Sequence, residues 1–113
     1  PRPATRDRVW RHFTHLAQRT LREIDVIGRV GGEEFAMLLP GCNPEQASAA
    51  AERLRQALES ESVNTSLGEV FITVSSGITL LRQEDESADQ PLQRADEALY
   101  AAKTAGRNCV RMA

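Results

Sequence analysis

Two rhythms of apolar residues alternate along the chain. Val9, Phe13, Leu16 and Thr20/Leu21 recur at helical spacing, which predicts a helix from Asp7 to about 22–25, after an irregular opening over 1–5. Short apolar runs over 26–30 and 35–39 flank Gly31-Gly32 and predict a β-hairpin, because glycine accepts the positive φ that a tight turn demands. Asn43 at a cap, Pro44 at the first helical position and Gln46 at the third predict a second helix running to about Glu59. Its buried stripe is Ala47, Ala50/Ala51, Leu54 and Leu58. The stretch 69–81 alternates like a strand, with Gly77 marking a bulge or a close backbone approach. An acidic loop over 82–89 follows. Pro91 opens a last helix with Leu92, Ala95, Leu99 and Ala102 inward, Gly106 ends it, and 109–112 forms a final strand.

The predicted order is helix, hairpin, helix, strand, helix, strand. That is an α+β fold, an α/β sandwich with a mixed, largely antiparallel sheet and flanking helices. The 113 residues suffice for a single domain with one core. Composition is that of an ordinary globular chain, 41% hydrophobic and 27% charged. Fourteen basic against sixteen acidic residues leave a net charge of −2. This excludes the strongly basic face expected of a protein that binds a DNA or RNA polymer. A phosphate-bearing ligand must then be held by a few local cations. Cys42 and Cys109 lie far apart in no metal-ligand spacing and read as reduced thiols. No apolar run approaches the roughly 18 residues of a membrane span, and no signal peptide is visible. The first residue is Pro1 rather than Met, which reads as a cut edge.

Candidate chemistry gathers in three places. Gly31-Gly32-Glu33-Glu34-Phe35 sets two adjacent carboxylates at a glycine turn. Their mutual repulsion is relieved by a divalent cation, and the glycines let backbone approach a phosphate. The plain alternative is a glycine turn with solvated acids. Lys103 and Arg107, four residues apart around a helix end, offer charge to an anion, or else only complement the helix dipole. Arg22 and Asp25, at i and i+3, read in isolation as a surface ion pair.

The run Arg29-Val30-Gly31-Gly32-Glu33-Glu34-Phe35 resembles the signature of the GGDEF domains of diguanylate cyclases, with Glu at the third position. The resemblance continues through Ala36-Met37-Leu38-Leu39-Pro40. It resumes at Thr73-Val74-Ser75-Ser76-Gly77-Ile78. It closes on 94–103, Arg-Ala-Asp-Glu-Ala-Leu-Tyr-Ala-Ala-Lys, and on Gly106-Arg107-Asn108. It implies a nucleotide-cyclase, palm-like fold. It also implies condensation of two GTP molecules into cyclic di-GMP and pyrophosphate by two domains facing each other as a homodimer. Mg²⁺ or Mn²⁺ would be held by Glu33 and Glu34, with Glu33 helping to activate the attacking hydroxyl. Gly31 and Gly32 would lie against the phosphates, and Lys103 and Arg107 would contact the triphosphate. Arg22 and Asp25 occupy the offset of the family's inhibitory cyclic di-GMP site, with Arg53 as a further arginine for that ligand. The resemblance further implies a cytoplasmic location and a fused sensor or receiver domain.

The pattern departs from the family at the start. A strand with Asp-x-Asp, then Phe-Lys and Asn-Asp, has no counterpart here. The family's Gly-His-x-x-Gly-Asp aligns with Arg2-Pro3-Ala4-Thr5-Arg6-Asp7. Asp7 is thus either the family's guanine-contacting aspartate or a helix N-cap. The chain is expected to be an N-terminally incomplete domain, inactive alone. The alternatives are a non-catalytic module that binds cyclic di-GMP or GTP, and a dimerisation scaffold.

Overall fold

The structure, a computed structural model, describes residues 3–31 and 34–113. Its helices are α1 (Pro3–Thr20), α2 (Pro44–Ser60) and α3 (Asp89–Thr104). Its strands are β1 (Val26–Gly31), β2 (Glu34–Leu38), β3 (Ser62–Thr65), β4 (Gly68–Phe71), β5 (Ser76–Ile78) and β6 (Val110–Met112). The mixed, largely antiparallel α+β architecture expected from the pattern is present. Among the described residues the strands pair as three two-stranded ladders: β1 with β2 and β3 with β4 antiparallel, β5 with β6 parallel. The parallel pair requires a crossover, and α3 supplies it, packing on both strands.

Phe13, Leu16 and Ala17 of α1 and Leu54 and Leu58 of α2 form the buried cluster. Ile27, Phe35 and Met37 of the hairpin, with Ile72 and Val74, pack against it. The Phe13 ring meets Phe35 at a centroid distance of 4.4 Å and Trp10 edge-on at 5.7 Å. Polar contacts fasten α1 to the segment that follows α2: Arg19 pairs with Glu61, the C-cap of α2, at 2.6 Å, and Arg8 donates to the Asn64 carbonyl of β3 at 3.0 Å.

The second helix forms as its sequence prescribes. Asn43 Oδ1 accepts from the Gln46 N–H at 2.8 Å, and Gln46 Oε1 accepts from the Asn43 N–H at 2.9 Å. Ala47, Ala50, Ala51, Leu54 and Leu58 are its buried residues. Other expectations need correction. The first helix begins at Pro3, so Asp7 is an exposed residue of its second turn and not an N-cap. Proline at a helix start is tolerated because the first N–H groups have no intrahelical partner. The stretch 69–81 is not one strand. It holds the end of a β3–β4 hairpin, an unpaired segment and the short β5. The β3 strand was not anticipated, since Ser62-Val63-Asn64-Thr65 contains a single large apolar residue. In α3, which begins at Asp89 rather than at the anticipated Pro91, Leu92 is exposed and Pro91, Ala98 and Ala102 are buried.

The close approach at Gly77 is real. A Cβ there would overlap backbone atoms of Ala95, Ala98 and Leu99, so β5 lies directly on the α3 backbone. Among the described residues, no helix is long and apolar enough to cross a membrane.

Two glycine substitutions should therefore diverge. Gly77→Ala forces backbone apart and should destabilise the fold by at least about 3 kcal/mol. Gly28→Ala, with open space at its Cβ position, should change stability by less than about 1 kcal/mol. Urea unfolding of the two variants measures the difference.

Candidate functional site

The turn between α1 and β1 is closed by one ion pair. Arg22 Nη2 donates to Asp25 Oδ1 at 2.7 Å, and Nε donates to both carboxylate oxygens at 3.1 and 3.2 Å. The Arg22 N–H caps Asp25 Oδ2 at 2.8 Å, and the Asp25 N–H returns to the Arg22 carbonyl at 3.0 Å. Nη2 also donates to the Pro40 carbonyl at 2.7 Å and contacts Cys42 Sγ at 3.3 Å. One guanidinium thus ties the turn to the segment leaving β2. The Asp25 side chain is 3% exposed and that of Arg22 is 46% exposed. Hydrogen bonding from Arg22 holds the Asp25 carboxyl below its ordinary pKa, and the charge of Arg53 acts in the same direction. Arg53 is exposed on α2. The structure therefore brings Arg22, Asp25 and the field of Arg53 together. The roles of Pro40 and Cys42 were missed by sequence reasoning, since neither belongs to a charge pattern.

The hairpin leads away from this turn. Gly31 faces Glu34 across it, with a register shift between Arg29 and Gly31. Glu34 is exposed. Gly32 and Glu33 lie outside the described residues. Among the described residues, no group of three or more His, Cys, Asp and Glu gathers to hold a metal. Mg²⁺, however, is commonly held by one or two carboxylates with substrate phosphates completing its shell. An exposed Glu34 at a glycine turn is compatible with that role.

Lys103 lies in the last turn of α3 and Arg107 just beyond it. The helix ends through N–H groups of Ala105, Gly106 and Arg107 donating to Ala101, Lys103 and Ala102 carbonyls at 2.9, 3.3 and 3.0 Å. Gly106 has φ 115° and stops the helix as expected. Both cations are exposed. Asp7 is exposed on α1. No hydrogen bond or ion pair among the described residues joins Asp7, Glu34, Lys103 or Arg107 to one another.

A second arginine fork went unanticipated. Arg94 donates to Asp85 Oδ1 and Oδ2 at 2.7 and 2.8 Å, to Thr79 Oγ1 at 3.1 Å and to the Leu80 carbonyl at 2.8 Å. Asp85 also accepts the Arg82 N–H at 2.8 Å. These bonds, Arg94's foremost, hold the Asp85 carboxyl down at about 2. The pair fastens the acidic loop to α3, and its separation of nine residues matches no local charge rule.

Residues 4–109 match the family described as "Diguanylate cyclase, GGDEF domain". The chain belongs to the GGDEF family. It is 34% identical over 109 residues to diguanylate cyclase A of Treponema denticola, covering 96% of this chain and 29% of that protein. The crystal structure of diguanylate cyclase SiaD from Pseudomonas aeruginosa, in complex with its activator SiaC, is similar with a TM-score of 0.88 at 36% identity. That match covers 95% of this chain and 41% of the other. The GGDEF domain of DgcB from Caulobacter crescentus, in complex with c-di-GMP, gives a TM-score of 0.86 at 32% identity. Here 96% of this chain and 64% of the other are covered. This GGDEF chain thus spans about three-tenths of its Treponema relative.

The Asp85–Arg94 pair predicts an acid signature. A depressed carboxyl pKa adds stability above its unfolded value of 3.8, and that stability disappears as the pH falls toward about 2. Asp85→Asn should be less stable than the parent near neutral pH. The gap in urea midpoint should close across that acid window.

Proposed function

We propose that the protein condenses two GTP molecules into cyclic di-GMP and two pyrophosphates. The observation that supports this reading is membership of the diguanylate cyclase family combined with charged side chains left available. Glu34, Lys103 and Arg107 are exposed, and none of their side chains is ion-paired or hydrogen-bonded to another described residue.

In this reading two copies face each other, each presenting one GTP. The 3′-hydroxyl oxygen of each GTP attacks the α-phosphorus of the other. A phosphodiester bond forms, the α–β anhydride bond breaks, and pyrophosphate leaves with the bonding pair. Glu33 helps to activate the hydroxyl and takes its proton, and Glu33 and Glu34 would together hold Mg²⁺ or Mn²⁺. When bound, the ion would supply positive charge to the triphosphate and the attacking oxygen. Lys103 and Arg107 position the triphosphate and offset its charge, the main tasks in transfer at phosphorus. Gly31 and Gly32 let the turn approach the phosphates. Asp7 contacts the guanine. Product inhibition acts through Arg22 and Asp25, which exchange their mutual bonds for those to a guanine edge, with Arg53 assisting. The domain is one unit of a cytoplasmic protein, and a fused sensor or receiver domain governs the pairing of copies.

The test is turnover. Because this chain is expected to be inactive alone, the assay uses the domain completed with the family's Asp-x-Asp strand; with GTP and Mg²⁺ it should release cyclic di-GMP and pyrophosphate in a ratio of one to two. The specific rate should rise with protein concentration. Glu33→Gln and Glu34→Gln should each lower the rate by about a hundredfold or more. A folded protein that binds cyclic di-GMP but forms none from GTP would replace this reading with that of a regulatory binding module.

A further inference from the structure

The turn after α3 has an unusual backbone. Gly106, Arg107 and Asn108 all have positive φ, 115°, 64° and 46°. Glycine adopts such angles freely and asparagine tolerates them, but arginine there is strained. A helix stop needs one left-handed residue, and the hydrogen bonds of the helix end account for that one. Two further left-handed residues persist only if their surroundings impose them.

The surroundings that do so belong to α2. Arg55 Nη1 donates to Asn108 Oδ1 at 3.2 Å and to Glu59 Oε2 at 3.2 Å. Asn108 Nδ2 donates in turn to Glu59 Oε2. The three side chains thus close a ring across about fifty residues of sequence. Arg55 is itself held in a fork by Glu52, with Nη2 at 3.0 Å from Oε2. Its side chain is only 15% exposed. From the other side, the Asn108 N–H donates to Ser75 Oγ at 3.0 Å. Asn108 is therefore bonded at its backbone nitrogen and at both ends of its amide. Arg107, the residue just before it, donates its N–H to the Ala102 carbonyl at 3.0 Å, while its exposed side chain makes no hydrogen bond or ion pair with another described residue. The direction of its side chain depends on the turn alone.

We propose that Arg55, Glu59 and Asn108 form a positioning clamp that fixes the backbone of Arg107 and so aims its guanidinium at the triphosphate of GTP. The inference rests on the reading of Arg107 as a triphosphate contact. The three clamp residues touch no substrate. They act by holding a strained turn in the one conformation that presents Arg107, so that binding does not have to order it.

The experiment is calorimetric titration of the whole protein with a non-cyclising analogue, guanosine 5′-[α,β-methylene]triphosphate, in Mg²⁺. Asn108→Asp keeps tolerance of positive φ and the acceptor for Arg55, but sets a carboxylate against Glu59. Adding Glu59→Gln restores a donor to that carboxylate. Arg107→Ala should weaken binding about tenfold, the effect of losing one charge-assisted contact. Asn108→Asp should weaken it similarly, and Asn108→Asp with Glu59→Gln should recover to within about threefold of the parent. In the Arg107→Ala background Asn108→Asp should have no further effect, because the clamp acts only through Arg107. Arg55→Lys, which keeps the charge and loses the fork, is a second probe should Asn108→Asp not fold. It should follow the same pattern. If Arg107→Ala weakens binding while the clamp variants do not, or if their effects add to it in full, the clamp is wrong and the Arg107 reading stands. If Arg107→Ala leaves affinity unchanged, the Arg107 reading itself falls, and the clamp's role in binding falls with it.

Discussion

The contact of Phe13 with Phe35 is the joint on which the rest of the molecule depends. It brings α1 onto β2 at the residue immediately after the acidic pair of the turn, with ring centroids 4.4 Å apart. Successive side chains of a strand face opposite ways. Anchoring Phe35 inward therefore points Glu34 outward, away from the core. The same cluster, completed by Leu16, Ala17, Leu54 and Leu58, fixes where α1 ends and so where the Arg22–Asp25 turn begins. Hydrophobic packing thus sets the relative placement of two polar features that do not touch.

Around that core, arginine forks rather than further apolar surface secure the connecting segments. Arg22 ties the turn after α1 to the segment after β2, Arg94 ties the acidic loop to α3, and Arg55 ties α2 to the turn before β6. A guanidinium suits this task because its planar donors engage a carboxylate and a backbone carbonyl together. Lys103 and Arg107 stand apart, exposed and with no ion-paired partner among the described residues. In a chain of net charge −2, they are local positive charge that internal pairing does not consume.

Much of this was legible in the sequence. The α2 helix was readable to within a residue at each end because its capping box, N1 proline and alanine-rich stripe all signal the same element. The β1–β2 hairpin was readable from two apolar runs and a glycine pair. Gly77 was readable as a bulge or a close backbone approach, and the structure shows the approach. The β3 strand was not readable, because one valine among polar residues gives no periodicity. Nor was the outward face of Leu92, since an apolar residue in the first turn of a helix is read as inward by spacing alone. For the candidate site, the charged residues were visible as a pattern of types. The partners that orient them, Pro40 and Cys42 at Arg22 and α2 at Asn108, are tertiary and leave no mark in local spacing. Gly32 and Glu33, central to the sequence reading, lie outside the described residues.

Under the proposed function, the Arg22–Asp25 turn is the best-defined part of the ligand-binding face. Calorimetric titration of the protein with cyclic di-GMP tests that assignment most directly. The account predicts saturable binding that disappears in Arg22→Ala while the variant remains folded. Binding that is unchanged in folded Arg22→Ala, or absent from the folded parent protein, would contradict it.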